Sequence, residues 1–240
     1  MNLSSHYNKQ AAENFLKLKE TPNLSYLIYR DIPFLLKNYI NHGRALDFGC
    51  GPGISTRFLS GLGFDVIGVD INKDMIKAAF TMPDGIPFAW IEHAKLPFLD
   101  NCFDLVTSIM VLLEIPSLLH IDKAVQEIAR VLKPGGIFLA VVGSEHFPEG
   151  EWMNKSPVSP NKEFPLSSGD VYYTSSKVTG ITFRDYFYTD DDYRSVFAAC
   201  NLKVITHHKA LGRKNEGMPW LLEEKLNPFS HYLCQKIHVE

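Results

Sequence analysis

Two acidic residues, each at the end of a short apolar run, are the clearest candidates for chemistry in this chain. Asp47 ends the run from residue 45 and is followed by Gly49, Gly51 and Gly53, whereas Asp70 ends a second run. An acid at the tip of the second strand of an α/β unit can hydrogen-bond ribose hydroxyls. Glycines allow a ligand to approach the backbone closely. The pattern therefore predicts a site for an adenosine-containing ligand.

Alternating strands and helices would have to position these acids. Residues 45–47 and 65–70 are predicted strands, and Ile54, Phe58 and Leu62 recur at helical spacing after the glycines. Apolar strands between amphipathic helices are typical of a parallel sheet covered on both faces. The other predicted elements are strands at 88–91, 103–108, 137–142, 181–187, 203–207 and 229–235, helices capped by Asn72, Ser117 and Thr189, and a short helix around 220–225.

The glycine spacing separates two kinds of adenosine-containing ligand. A dinucleotide site would have glycine three residues after Gly51, where this chain has Ile54. Asp47 would repel a nearby pyrophosphate, and Pro52 lacks a backbone N–H that a phosphate could use. S-adenosylmethionine has no phosphate, and its ammonium and sulfonium groups are cationic. The residues thus favour S-adenosylmethionine, with a dinucleotide as the open alternative.

Four segments, in order, resemble the motifs of the class I S-adenosylmethionine-dependent methyltransferases of the small-molecule type. They are Asp-Phe-Gly-Cys-Gly-Pro-Gly at 47–53, Asp-Ile-Asn at 70–72, Leu-Pro-Phe-Leu-Asp-Asn-Cys-Phe-Asp-Leu-Val at 96–106, and Val-Leu-Lys-Pro-Gly-Gly at 131–136. The resemblance covers about residues 40–145 and is weaker towards the end. It implies an α/β fold: a Rossmann-like seven-stranded, mostly parallel sheet with helices on both faces and an antiparallel last strand. A cap would come from the N-terminal helices and the insertion after strand 5.

The resemblance also implies which residues hold the methionine and ribose parts of the donor. The backbone at Gly49, Cys50 and Gly51 would let the methionine part approach. Asp47 would order its ammonium, directly or through water, and Asp70 would bind the ribose diol. The product of the reaction would be S-adenosyl-L-homocysteine.

The remaining implied donor contacts lie after the second, third and fourth strands. Ile71 would pack on adenine, and Glu92 would meet the adenine amino group with the His93 backbone beside it. The family often has an aspartate where this chain has Glu92, which is one methylene longer. Ser108 and Ile109 would flank the sulfonium end.

Methyl transfer is an in-line displacement, in which positioning the acceptor against the methyl carbon supplies much of the acceleration. A base is needed only for an acceptor that must lose a proton early. Glu114 and His146 are candidates for that base or for acceptor orientation, and Tyr7 for a substrate contact. The alternatives are a solvated carboxylate, a loop histidine and ordinary packing. No metal site is expected, since His207 and His208 are adjacent on a predicted strand and face opposite sides.

One domain is predicted for the whole of 1–240. Its expected parts are an N-terminal helical lid at 1–42, a cofactor-binding core at 43–143, a substrate cap at 144–188 and the end of the sheet at 189–240. The cap region is rich in proline, glycine and aromatic residues and lacks clear periodicity, which is typical of a binding loop or lid.

Bulk properties limit the possible partners. The chain has 240 residues and a net charge of −3, so no overall positive field would attract nucleic acid. Four cysteines without a close pair, and no signal peptide or ~20-residue apolar run, predict a cytoplasmic protein without a membrane span. The expected activity is methyl transfer to a small-molecule acceptor. The alternatives are a dinucleotide-dependent oxidoreductase and a non-catalytic S-adenosylmethionine-binding protein, and the oligomeric state stays open.

Overall fold

The protein is built on a seven-stranded central sheet and a smaller three-stranded sheet. A computed structural model describes residues 23–92, 95–158 and 165–237. In chain order the strands are β1 (Gly43–Phe48), β2 (Phe64–Asp70), β3 (Phe88–Trp90), β4 (Phe103–Ile109), β5 (Leu132–Gly143), β6 (Lys155–Pro157), β7 (Val171–Ser176), β8 (Thr182–Tyr186), β9 (Leu202–Ala210) and β10 (Phe229–Lys236). The central sheet has the order β3-β2-β1-β4-β5-β10-β9, and β6-β7-β8 form the second sheet.

Strand β10 is the one antiparallel member of the central sheet. Strand β1 pairs in parallel with β2 and β4, and β4 in parallel with β5, whereas β10 runs antiparallel to both β5 and β9. The predicted fold class is therefore confirmed. Because the carboxyl ends of β1, β2 and β4 meet at one edge, the two acidic strand ends of the sequence pattern come together there.

Helices cover both faces of the central sheet. They are α1 (Ser25–Tyr29), α2 (Ile32–Leu36), α3 (Ile54–Gly61), α4 (Lys73–Ala79), α5 (Leu118–Val131) and α6 (Asp190–Ala199), with single 3-10 turns at Leu112–Glu114 and Lys214–Glu216. One core cluster joins α5 and α6 to the sheet, and another joins α1, α2 and α3 to its opposite face. In the described ranges no helix is both long and apolar enough to cross a membrane.

The three predicted N-caps are present. The Asn72 side chain accepts hydrogen bonds from the first turn of α4, and Ser117 accepts one from the first turn of α5. Thr189 forms a capping box with Asp192 at the start of α6. These side chains satisfy amides that a helix leaves without partners, and so fix where each helix begins.

The prediction of a short helix around 220–225 is wrong. The structure has turns there, and the 3-10 turn lies earlier, at Lys214–Glu216. The buried Glu223 carboxylate accepts hydrogen bonds from the backbone of Leu221 at 2.7 Å and of Met153 at 2.6 Å. Bonds from a side chain to the nearby backbone compete with helix formation. This segment is therefore fixed by a distant loop rather than by its own periodicity.

Candidate functional site

The turn between β1 and α3 is held in a left-handed conformation. Gly49, Gly51 and Gly53 have φ values of 75°, 52° and 86°, which only glycine adopts without strain. A Cβ on Gly49 would lie 2.4 Å from a Val111 methyl group. At Gly51 a Cβ would meet nothing within 4 Å, so this part of the backbone borders open space.

The backbone amides of this fully described turn are already bonded within the protein. Gly49 and Cys50 donate to the Val69 carbonyl at 2.8 and 3.0 Å, and Gly53 donates to the Cys50 carbonyl at 2.9 Å. Gly51 donates to the Asp70 carboxylate at 2.8 Å, and Pro52 has no N–H. The turn thus has no amide to offer a diphosphate, which phosphate-binding glycine turns require.

Asp70 links the ends of β1 and β2 at the edge of a cavity. Its Oδ2 accepts from Gly51, and its Oδ1 accepts from the Asn72 amide at 2.7 Å. Burial raises the pKa of Asp70, while the two amides oppose that shift. A carboxylate oxygen has more than one acceptor position, so Asp70 can still accept from a ligand in the cavity.

Asp47 lies beneath the turn and not on the cavity wall, which corrects the predicted direct contact. It is 1% exposed, and its carboxylate accepts hydrogen bonds from Ser55 at 2.6 Å, Thr56 at 2.7 Å and Thr107 at 2.9 Å. These hydroxyls come from the first turn of α3 and from β4. Asp47 therefore ties the sheet to the helix, and its contact with an ammonium through water stays a prediction.

A cavity of about 1450 Å³ begins at the turn and extends to the three-stranded sheet. Part of its wall consists of residues that the sequence singled out, namely Gly49, Cys50, Gly51, Asp70, Ile71, Glu92, Ile109 and Glu114. The wall does not include Asp47, Ser108 or His146. Tyr7 and His93 lie outside the described residues, and their roles stay predictions.

Ser108 and His146 do not reach the cavity because of their local geometry. Ser108 is fully buried in β4, and among the described residues its hydroxyl has no hydrogen-bond partner. Its neighbour Ile109 reaches the wall, since successive strand residues face opposite sides. The His146 ring lies 3.6 Å from the Glu145 carboxylate, away from the cavity.

Two groups of wall residues were missed by the sequence analysis. Trp90 is 42% exposed at the end of β3, and its indole N–H donates to the Ile71 carbonyl at 2.9 Å, which widens the apolar wall beside Ile71. The other group lies on the three-stranded sheet and includes Lys155 and Asp185. Trp90 was detectable from the sequence as an aromatic residue at the end of a strand. No sequence motif marks Lys155 or Asp185.

The residues at the turn fit S-adenosylmethionine. Open space borders Gly51, a carboxylate stands at the second strand end, and Ile71 and Trp90 offer apolar surface for a purine. Glu92 adds an acceptor nearby. Among the described residues there is no cluster of histidine, cysteine and acidic side chains that could hold a metal ion.

Comparisons with known proteins agree with this geometry. The family model of the methyltransferase domain matches residues 46–140. An uncharacterized protein of Methanocaldococcus jannaschii is 33% identical over 156 residues, which is 62% of this chain and 66% of that protein. The ubiquinone/menaquinone biosynthesis C-methyltransferase of Pseudomonas paraeruginosa is 33% identical over 122 residues, 47% of this chain and 46% of that enzyme. The match thus spans about half to two thirds of the length of these two relatives.

Solved structures share the fold over nearly the whole chain. The CcbJ methyltransferase of Streptomyces caelestis has a TM-score of 0.68 at 15% identity, covering 98% of this chain and 99% of that one. Such low identity supports the fold alone, whereas the family match covers the strands and turns that form the donor end of the cavity. Residues 46–140 of this chain therefore match the methyltransferase domain, and the residues at the donor end of the cavity fit S-adenosylmethionine as its cofactor.

Proposed function

We propose that the protein transfers a methyl group from S-adenosylmethionine to a small-molecule acceptor. One observation supports this most: a single cavity of about 1450 Å³ joins the glycine turn to the three-stranded sheet. Sites for one small molecule usually have about 300–1,000 Å³. This cavity is therefore large enough for the donor and an acceptor side by side.

The donor would lie across the ends of β1, β2 and β4. In this proposal Asp70 binds the ribose diol, and the backbone at Gly49, Cys50 and Gly51 admits the methionine part. Ile71 and Trp90 contact the adenine ring, and Glu92 accepts from its amino group. Each of these residues lines the cavity.

Methyl transfer requires the protein mainly to position the acceptor against the methyl donor. S-adenosylmethionine supplies an electrophilic methyl group on a cationic sulfur. Ile109, Met110 and Val111 follow one another along the wall and would exclude water from the reacting atoms. Holding the acceptor in line with the methyl carbon then provides most of the acceleration.

A relative supports a small-molecule acceptor. The relative in Pseudomonas paraeruginosa is named for a C-methylation step in ubiquinone and menaquinone biosynthesis, which has a small-molecule acceptor. We assign residues 144–188 the role of a substrate cap, because the three-stranded sheet within this range lines the cavity, and residues 1–42 that of a lid; residues 1–22 and 159–164 lie outside the described residues. The exclusion of nucleic acid and a cytoplasmic location stay predictions.

A labelling screen tests the proposal. The protein is incubated with methyl-labelled S-adenosylmethionine and a broad set of metabolites, and separately with protein and nucleic acid. We expect label in a small molecule, with S-adenosylhomocysteine formed in equal amount. Label confined to protein or nucleic acid would contradict the small-molecule acceptor. Donor binding without S-adenosylhomocysteine formation in any reaction would instead indicate a non-catalytic binding protein.

A further inference from the structure

The face of the three-stranded sheet that borders the cavity carries polar groups that have no role in the proposed binding of the donor. In the strand register Lys155 lies opposite Ser176, and Thr174 lies opposite Phe183. Asp185 is two residues beyond Phe183 and so shares its face. The side chains of this face that line the cavity are Lys155, Ser176, Phe183 and Asp185.

Asp185 is a buried carboxylate that lines the cavity, and no described residue donates a hydrogen bond to it. It is 3% exposed, and within the described part of the chain it accepts no hydrogen bond and no cationic nitrogen lies within 4.0 Å of it. Burying a charge without such partners is costly. In agreement, burial raises the pKa of Asp185 to about 7, although the positive charge of Lys155 opposes this shift.

The Lys155 ammonium lines the same cavity and lies against aromatic rings. Its ammonium lies 4.1 Å from the centre of the Phe183 ring and 5.0 Å from that of Phe147, and it forms no ion pair with a described carboxylate. Burial lowers the pKa of Lys155. The Thr174 hydroxyl on this face also has no hydrogen-bond partner among the described residues.

Other titratable groups border this pair. Glu114, on the 3-10 turn after β4, favours the charged form of Lys155. Tyr172 on β7 and Tyr193 on α6 interact electrostatically with Asp185, and burial raises the pKa of both phenols, so both stay neutral. A ligand at this face would therefore meet the Asp185 carboxylate and the Lys155 ammonium, with the Glu114 carboxylate on the adjoining turn.

The Asp185 carboxylate and the Lys155 ammonium together favour some classes of acceptor over others. An amine would use the carboxylate but would face Lys155 with like charge, and a carboxylic acid would face Asp185 with like charge. A zwitterion could pair with both groups, but it would lose the hydration of two full charges on entering the cavity. A neutral hydroxyl that ionises in place uses both groups, because it first donates to a carboxylate and then leaves an oxyanion beside an ammonium.

We propose that this face binds an apolar acceptor with an acidic hydroxyl, a phenol or an enol, with Asp185 as the base and Lys155 as the partner of the oxyanion. The proposal rests on the proposed methyl transfer. The hydroxyl proton passes to the Asp185 carboxylate, and an oxygen electron pair forms the new bond to the methyl carbon. The carbon–sulfur bond breaks with its electron pair on sulfur, which gives the methyl ether and neutral S-adenosylhomocysteine. Asp185 then returns its proton to solvent.

The test uses 2-naphthol, whose ionised form absorbs at longer wavelength than its neutral form. Excess protein with saturating S-adenosylhomocysteine is mixed with the probe about one pH unit above the pKa of Asp185, where free naphthol is neutral. We expect the naphtholate fraction to rise at least about tenfold over the free probe, since an opposite charge shifts a pKa by about 1–3 units. The wild-type protein should release almost no proton to the buffer, because Asp185 takes it.

Matched variants separate the two roles. Lys155→Met should abolish the naphtholate band, whereas Lys155→Arg should retain it. Asp185→Asn should keep the band but release one proton per naphtholate. Arg184→Gln, on the same strand with its side chain on the opposite face, should behave as wild type. Thermal unfolding and calorimetric S-adenosylhomocysteine binding verify that each variant is folded.

Two results would overturn this inference alone. One is intact S-adenosylhomocysteine binding by the wild type without a naphtholate band. The other is equal proton release by the wild type and Asp185→Asn. Failure of the wild type to bind S-adenosylhomocysteine would count against the proposed function itself, so the two failures are distinguishable.

Discussion

Asp70→Ala is expected to weaken S-adenosylmethionine binding by about 10- to 150-fold, because a charge-assisted hydrogen bond typically contributes ~1.5–3 kcal/mol. The carboxylate has one proposed role and one observed role at the donor end. It would accept from the ribose diol, and it already accepts from the amides of Gly51 and Asn72 at 2.8 and 2.7 Å. Calorimetric titration of the donor into the variant measures the effect.

A neighbouring acid provides the control for this prediction. Asp74 lies on α4, is partly exposed, and pairs with Lys77 at 2.9 Å. It does not line the cavity, so Asp74→Ala should change donor affinity by less than about twofold, as is usual for surface substitutions. Wild-type affinity in Asp70→Ala would remove this carboxylate from the ribose role.

Gly49→Ala is expected to lower the midpoint of thermal unfolding by roughly 4–20 °C. A left-handed φ of 75° costs a non-glycine residue about 1–2 kcal/mol. The new methyl group would also lie 2.4 Å from the branched side chain of Val111. Overpacking of this kind costs about 1–3 kcal/mol, and in a chain of this size each kcal/mol shifts the midpoint by about 2–4 °C. A thermal melt followed by circular dichroism measures the change.

Gly51→Ala is the matched variant, because it shares the left-handed strain without the clash. Its φ is 52°, and a Cβ there would meet nothing within 4 Å. We expect a smaller loss of stability but weaker donor binding, since the methyl group would enter the space that the donor needs. Equal melting points for the two alanine variants would show that contact with Val111 does not explain the need for glycine at position 49.

The donor end of the site was largely predictable from the sequence. The acid after β2 and the three glycines after β1 are local signals, because a strand end and a turn are encoded by adjacent residues. The order of apolar runs then determined which strand ends meet at one edge of the sheet. Asp70 accordingly lies where the motif predicted, at the cavity wall.

The position of Asp47 was not predictable in the same way. Its partners are hydroxyls on α3 and on β4, and Thr107 lies opposite it only because β1 and β4 pair in that register. A sequence pattern shows that an acid follows an apolar run, but not whether distant hydroxyls occupy its oxygens. Ser108 likewise depends on which face of β4 it occupies.

The acceptor end of the cavity was the part that the sequence predicted least well. The interpretation of residues 144–188 as a cap included one strand, at 181–187, whereas the structure has β6, β7 and β8. Lys155 and Asp185 are 30 positions apart and share a face only through the pairing of these strands. No short motif encodes such a juxtaposition, because register between antiparallel strands is a long-range property.

The glycine turn is expected to accept a cationic nucleoside and to reject a diphosphate. Every amide from Gly49 to Gly53 is bonded within the protein, apart from Pro52, which has none. Parallel calorimetric titrations of the wild-type protein with S-adenosylmethionine and with NADH test this most directly. We expect saturable one-to-one binding of S-adenosylmethionine and no measurable heat from NADH. Binding of NADH in preference to S-adenosylmethionine would instead show that the turn accepts a diphosphate.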